Sequence, residues 1–281
     1  RNRHRDCAYW AWKGECHTNA EYMKTICAPM CQSCHYLTRK GRCAMEPGQT
    51  NTWGAGDLNR LFEKLTSEPF LSTHNVQVHS SPAKDGPWVI SMDNIVTEDQ
   101  ANHFIELGHE VGFTQSAEVA ETAEVVEGRT SIKAWCTGKC AEDPLVRQVS
   151  ERLSELTSIP IKNLESIQLL KHEADQTSST YHDFIDDHVS TKAGPRILTV
   201  FIYLNDVEEG GGTRFEELDV TVLPKRGRVV VWPNVLDNNP NQQDWRTRHN
   251  ALPVENGVKY GANAWFHLRD FQTPYNDGCM D

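Results

Sequence analysis

Hydrophobic positions recur with two different periods along this chain. In "DLNRLFEKLTSE", Leu58, Leu61, Phe62 and Leu65 fall on one helical face, with Asp57 before them as a candidate N-cap. In "TEDQANHFIELGHEVGF", Thr97 is the candidate cap and Ala101, Phe104, Ile105, Leu107 and Gly108 follow along a helix. A further helix is predicted from Asp143 to Leu156, with Pro144 in its first turn. "WVISM" (Trp88–Met92) reads as a strand. From Glu165 onward the period shortens. "ESIQLLKH", "RILTVFIYL", "LDVTVLP", "GRVVVWP" and "NAWFHLRDF" are strand-like and separated by Gly, Pro, Asn and Asp. Several short strands without helices between them point to an antiparallel barrel or jelly roll. Helices precede a β-rich half, so the fold class is α+β. "AEVAETAEVVEGRT" (Ala117–Thr130) is acidic and poor in bulky residues, and is expected to be a mobile loop.

Composition narrows the function classes. The chain has 281 residues, enough for one sizeable domain and a small module. No apolar run approaches the roughly 18–20 residues that span a bilayer, so no transmembrane segment is expected. No signal peptide stands at residue 1, which leaves open that the chain begins after a removed one. The net charge of −11 argues against nucleic acid as the main partner. An acidic surface suits a basic or neutral substrate and also serves solubility.

Six of the nine cysteines (Cys7, Cys16, Cys27, Cys31, Cys34 and Cys43) lie within residues 1–45. A segment that short cannot build much core, so disulfides are the expected source of its stability. Zinc is the competing reading, but a second Cys pair of the usual spacing is missing. Disulfides imply the secretory pathway, such as the endoplasmic reticulum lumen, or the extracellular space. Cys136 and Cys140 form a close pair, and Cys279 stands near the end. Nine is odd, so at least one thiol is unpaired within the chain. "EPGQTNTWGAG" (Glu46–Gly56) reads as a linker, which divides the chain into a module at 1–45 and a main domain at 46–281.

The N-terminal string "DCAYWAWKGECHTNAEYMKTICAPMCQSC" resembles the ShK-toxin-like (ShKT) module in Cys7, Trp10–Ala11, Gly14–Cys16, Asn19, Tyr22–Met23, Cys27, Cys31 and Cys34. The resemblance implies Cys7–Cys27 and Cys16–Cys31 bonds. It leaves Cys34 to find another partner, with Cys43 the nearest spare and Cys43–Cys279 the rival pairing.

Residues from about 57 to 273 resemble the prolyl 4-hydroxylase family of 2-oxoglutarate/Fe(II) oxygenases. The strings that carry this are "RILTVFIYLNDVEEGGGTRF", "VLPKRGRVVVWP", "TRHNALPVENGVKYGANAWFH" and the "AWC" at Ala134–Cys136. The resemblance implies a double-stranded β-helix (jelly-roll, cupin-like) core with flanking helices. It also implies iron held by a His-x-Asp pair and a distant His, and 2-oxoglutarate held by a basic residue. Two imidazoles and a carboxylate take one face of Fe(II) and leave positions open for co-substrate and oxygen. Residues two apart on a strand point the same way, so such a pair aims at one metal.

In the family's register Asp183 is the carboxylate ligand and His249 the distal one. The first His position holds Tyr181, and His182 sits between, where alternation turns it away. The implied metal set is therefore Tyr181, Asp183 and His249, which are also the candidate catalytic residues. Tyr181 either ligates the metal or fills the space of an imidazole without bonding it. Lys259 matches the anchor of the 2-oxoglutarate carboxylate, Thr199 could place a hydroxyl beside it, and Arg196 matches a position near the peptide substrate. A family Tyr that contacts the co-substrate is replaced by Ser178. His172, His182 and His188 are expected to be polar supporting groups, and Trp232 and Trp265 core aromatics. "EEGGG" (Glu208–Gly212) is expected to be a tight connection between strands.

A phenol has a free pKa of about 10 and must lose its proton to bind a metal well. A tyrosine donor would add one negative charge and favour Fe(III) over Fe(II). The expected activity is hydroxylation of a peptidyl, proline-type substrate with O2 and 2-oxoglutarate. The cofactors are Fe(II) or Fe(III) and 2-oxoglutarate, with ascorbate a further candidate, and the partner is a peptide or protein. Two alternatives stand beside it: a metal-dependent oxidase or oxygenase that does not use 2-oxoglutarate, and an inactive binding relative.

Overall fold

The computed structural model describes residues 1–45, 48–115, 132–174 and 180–280. The loop expected at Ala117–Thr130 and Ser178 lie outside the described residues. Eight strands form one antiparallel sheet: β1 Gln77–Ser80, β2 Val89–Met92, β3 Thr114–Gln115, β4 Ile132–Trp135, β5 Gln168–His172, β6 Arg196–Tyr203, β7 Val229–Pro233 and β8 Lys259–His267. Their order across it is β1-β2-β7-β6-β8-β5-β4-β3.

Alternation along the central strands creates two cores. Leu198, Val200 and Ile202 of β6 and Val229 and Val231 of β7 face the helices Asp57–Leu65, Glu98–Val111 and Pro144–Thr157. The side chains between them, Phe201, Tyr203, Val230 and Trp232, face the other way and pack on Phe215 and Val222. The second core is closed by a small sheet in which Thr213–Phe215 lies between Val220–Val222 and Asn250–Ala251. An antiparallel bridge between Tyr181 and His249 stands next to that sheet's Asn250. Both faces of β6 are apolar, so a one-residue slip would exchange its two sets of side chains between the cores and swing Thr199 onto the helix side. This is the α+β, jelly-roll arrangement the sequence implied.

The helix signals resolve as capping chemistry. Thr97 accepts from the Gln100 amide and the Gln100 side chain accepts from the Thr97 N–H, a complete capping box. Asp143 caps Pro144–Thr157 through the amides of Leu145 and Val146. Asp57 corrects the expectation. Gly56, at φ 86°, is the N-cap, and Asp57 is the first helical residue. Its carboxylate accepts from the Gly54 amide at 2.7 Å, so it fastens the preceding turn instead. In the "EEGGG" connection, Gly210 has φ 81° and a Cβ there would meet the Pro253 carbonyl oxygen at 2.3 Å. That close approach lets Glu209–Gly210 pair with Val254–Asn256.

The cysteines are bonded Cys7–Cys27, Cys16–Cys31, Cys43–Cys279 and Cys136–Cys140. Cys34 is free and exposed. Thus Cys43 takes its distant alternative rather than its near one. The C-terminal helix Gln272–Asn276 brings Cys279 to the module, where Arg42 donates to the Asp277 carbonyl at 2.7 Å. No helix among the described residues is long and apolar enough to cross a membrane.

Candidate active site

The second core borders buried polar side chains that a core would ordinarily exclude. Asp183 and His249 are each 3% exposed, and Nε2 of His249 lies 3.7 Å from Oδ2 of Asp183. His249 is oriented on two sides. Its Nδ1 is 3.0 Å from the Thr247 carbonyl, which can only accept, so Nδ1 carries the proton and Nε2 presents a lone pair. Its ring packs edge-on against Trp232 at 4.7 Å and near Phe215 at 5.6 Å. Trp232 is therefore a core aromatic that also forms a wall of the site.

Tyr181 and His249 exchange both backbone hydrogen bonds at 3.0 Å. Their rings meet edge to face at 4.5 Å. Strand pairing thus brings positions 181 and 249 together directly. His182 is turned elsewhere. Its Nδ1 accepts from the Phe184 amide at 2.9 Å, and its Nε2 donates to the Asp244 carbonyl at 2.9 Å and approaches Thr247 Oγ1 at 3.1 Å. Burial lowers its pKa, which agrees with a neutral ring donating through Nε2 only. Among the described residues no third His, Cys, Asp or Glu joins Asp183 and His249 in a metal-holding group.

Lys259 begins β8 and is 1% exposed. Its ammonium lies 5.2 Å from the ring centroids of both Phe201 and Tyr203, and it forms no hydrogen bond or ion pair among the described residues. Burial alone pushes its pKa down from 10.5 to about 7. Phe201 and Tyr203 belong to the same core cluster as Trp232 and Phe215, so this cation and the His–Asp pair border one interior.

Thr199 does not stand alone beside a co-substrate anchor. Its hydroxyl donates to Asp183 Oδ2 at 2.7 Å and lies 2.9 Å from Asn234 Nδ2. Sequence reasoning missed Asn234, because an Asn after a strand-ending Pro reads as a turn residue. Arg196 is placed by a bulge in the β6–β8 ladder that sets it opposite His267. It makes a two-pronged pair with Glu165 at 2.8 and 2.9 Å, and its guanidinium lies 3.8 Å from the Trp265 ring centroid. Burial would raise the Glu165 carboxyl, but the charge of Arg196 and the hydrogen bond from His267 prevail and hold it down at about 2. The His188 ring lies tilted 5.5 Å from that of His267, and burial first, then the neighbouring His267 and Arg196, push it down to about 4. His172 ends β5 opposite Lys259 and is 5% exposed. Glu165 and His267 also escaped sequence reasoning, since their roles depend on a bulge.

Comparison with known proteins agrees with this construction. Residues 167–267 match the 2OG-Fe(II) oxygenase superfamily, and residues 1–34 match the ShK domain-like family. Human prolyl 4-hydroxylase subunit alpha-1 is 30% identical over 233 residues, covering 76% of this chain and 42% of that protein. The mouse subunit alpha-1 is 33% identical over 168 residues, covering 57% of this chain and 31% of that protein. The chain thus spans less than half the length of these curated relatives. Probable prolyl 4-hydroxylase 7 of Arabidopsis thaliana is 28% identical over 249 residues, covering 80% of this chain and 76% of that protein. The crystal structure of the viral collagen prolyl hydroxylase from Paramecium Bursaria Chlorella virus-1, as its 2OG complex, shares the fold. Its TM-score is 0.54 at 22% identity, over 66% of this chain and 98% of that one. The chain thus has a jelly roll with a buried His–Asp pair, a stretch at residues 167–267 that matches the 2OG-Fe(II) oxygenase superfamily, prolyl 4-hydroxylase homologues, and an ShK-like match at residues 1–34.

Proposed function

We propose that this protein is an iron oxygenase that hydroxylates a peptidyl, proline-type substrate with O2 and 2-oxoglutarate, at a Tyr181/Asp183/His249 metal site. The observation that carries the reading is Lys259. A buried ammonium with no carboxylate partner among the described residues lacks what a dicarboxylate co-substrate brings, a compensating negative charge. Its distance from water also makes it selective for an anion that can follow it into an apolar interior. The donor set fits a cation as well. Asp183 offers an anionic oxygen and His249 a free Nε2, both buried and convergent.

Tyr181 is the third donor in this reading. Its main chain is fixed to that of His249, and its ring lies against the His249 ring. A bound cation favours loss of the phenol proton. The resulting donor set is one unit more negative than two imidazoles and a carboxylate, and it favours ferric iron at rest. When bound, iron would activate O2 as the oxidant, and 2-oxoglutarate would supply two electrons as it is decarboxylated to succinate. This chain's residues hold, orient and shield them. Arg196, fixed by Glu165 and stacked on Trp265, is assigned to the substrate side, where planar cationic and aromatic surfaces suit a proline-containing backbone. The disulfides suit a secretory or extracellular setting.

The test is metal analysis coupled to succinate formation from 2-oxoglutarate, for the native chain and Tyr181→His. Iron binding and succinate formation by the native chain, with a visible phenolate-to-iron band that Tyr181→His lacks, is the expected result. Succinate formation by Tyr181→His alone would assign the native chain a different or lost activity. Turnover by neither would favour the binding-protein alternative.

A further inference from the structure

The oxygenase reading leaves open what holds the carboxylate ligand in place, since Asp183 is a bend residue outside any strand. A carboxylate on an irregular segment has a free χ2 torsion unless something grips it. Two fully buried groups supply a grip. Thr199 and Asn234 are each 0% exposed, and Asp183 is 3% exposed.

The proton order among them is forced by chemistry. An ionised carboxylate only accepts, so the single hydroxyl proton of Thr199 goes to Asp183 Oδ2, 2.7 Å away. With that proton committed, Thr199 Oγ1 can only accept from Asn234. The amide nitrogen of Asn234 is the nearer of its two polar atoms, at 2.9 Å against 3.2 Å for the oxygen. The chain of donors therefore runs Asn234 to Thr199 to Asp183. Thr199 is also stiff at χ1 because it is β-branched, and it sits mid-strand in β6 with neighbours on both sides.

Asn234 is itself anchored. Its N–H donates to the Ile197 carbonyl at 2.9 Å, and its carbonyl accepts from the Asp244 N–H at 3.0 Å. The Asp244 carbonyl accepts from Thr247 Oγ1 at 3.0 Å and from His182 Nε2 at 2.9 Å. The Thr247 carbonyl in turn accepts from His249 Nδ1 at 3.0 Å. One continuous network thus reaches both buried ligands from behind.

We infer that Thr199, set by Asn234, is the positioning residue that orients the Asp183 carboxylate toward the metal, and that the same network orients His249 through Thr247. The inference rests on the metal-site reading above. Thr199 uses one lone pair of Oδ2 and leaves the others for a cation, so it fixes direction without competing for the site. His182 acquires a role here as well. It is a strut between the two ligand segments, which accounts for an imidazole beside the metal that does not face it.

The experiment is Co(II) binding by titration calorimetry, without 2-oxoglutarate, for the native chain, Thr199→Ser, Thr199→Val and Asn234→Ala, with thermal unfolding as the control for folding. Loss of such an outer partner weakens metal affinity by about 10–100-fold. Thr199→Val should fall in that range, Thr199→Ser should bind within about threefold of native, and Asn234→Ala should lie between. If Thr199→Val does not fold, Thr199→Ser and Asn234→Ala decide: native-like binding by both would overturn the inference. Equal affinity of native and Thr199→Val would overturn it while leaving the metal site standing. Absence of Co(II) binding by the native chain would refute the metal site and this inference together.

Discussion

Burying Lys259 with no hydrogen-bond or ion-pair partner among the described residues should leave a measurable mark on stability. The folded chain holds this amine at about 7, whereas the unfolded chain holds it at 10.5. Between those values the unfolded chain keeps a proton that the folded chain gives up, so stability rises with pH. At 1.36 kcal/mol per unit, the full shift corresponds to a cost on the order of 5 kcal/mol at low pH. About 4 kcal/mol of that remains at pH 7 and about 2 at pH 9. The native chain should therefore gain about 2 kcal/mol between pH 7 and pH 9 relative to Lys259→Met, in which no charge is buried. Lys259→Met should also be the more stable protein at pH 7. The assay is denaturant unfolding of both proteins, disulfides intact, at the two pH values. Parallel pH dependence in the two proteins would refute the reasoning, since it would mean that Lys259 is solvated or paired in solution.

Two other perturbations follow from the same structure. Glu165→Gln leaves the guanidinium of Arg196, 12% exposed, without its carboxylate, and should destabilise by about 3–5 kcal/mol, read from the unfolding midpoint; a change under 1 kcal/mol would mean that Arg196 finds another partner. Replacing Cys43 and Cys279 by Ser opens a bond with a sequence separation of 236 residues and should cost on the order of 5 kcal/mol in loop-closure entropy, with an unchanged midpoint counting against that bond.

Much of the fold was legible because period and capping are local. The apolar run in "RILTVFIYL" specified a strand, and Thr97 ahead of an apolar face specified a helix start, since a side chain and an amide three residues apart meet in any sequence context. Asp57 misled because its carboxylate had two local amides to choose from, and the glycine before it could take the left-handed conformation. The cysteines divide the same way. Short-range bonds within the module followed its resemblance, while Cys43–Cys279 required the C-terminal helix to arrive beside the module.

What the sequence by itself determined is the jelly roll, its helical cover and the identity of the residues at positions 181, 183, 249 and 259. Hydrophobic period marks the strands and helices, and the resemblance to the prolyl 4-hydroxylase family implies those positions. What only the tertiary structure decided is how those residues are held. His182 faces Asp244, Thr199 serves Asp183, and Arg196 is locked by Glu165 across a bulge. Each of these depends on a hydrogen bond between segments from 16 to 62 residues apart in the chain. A proton has one best acceptor, and which acceptor lies within 3 Å is a property of packing rather than of any local string.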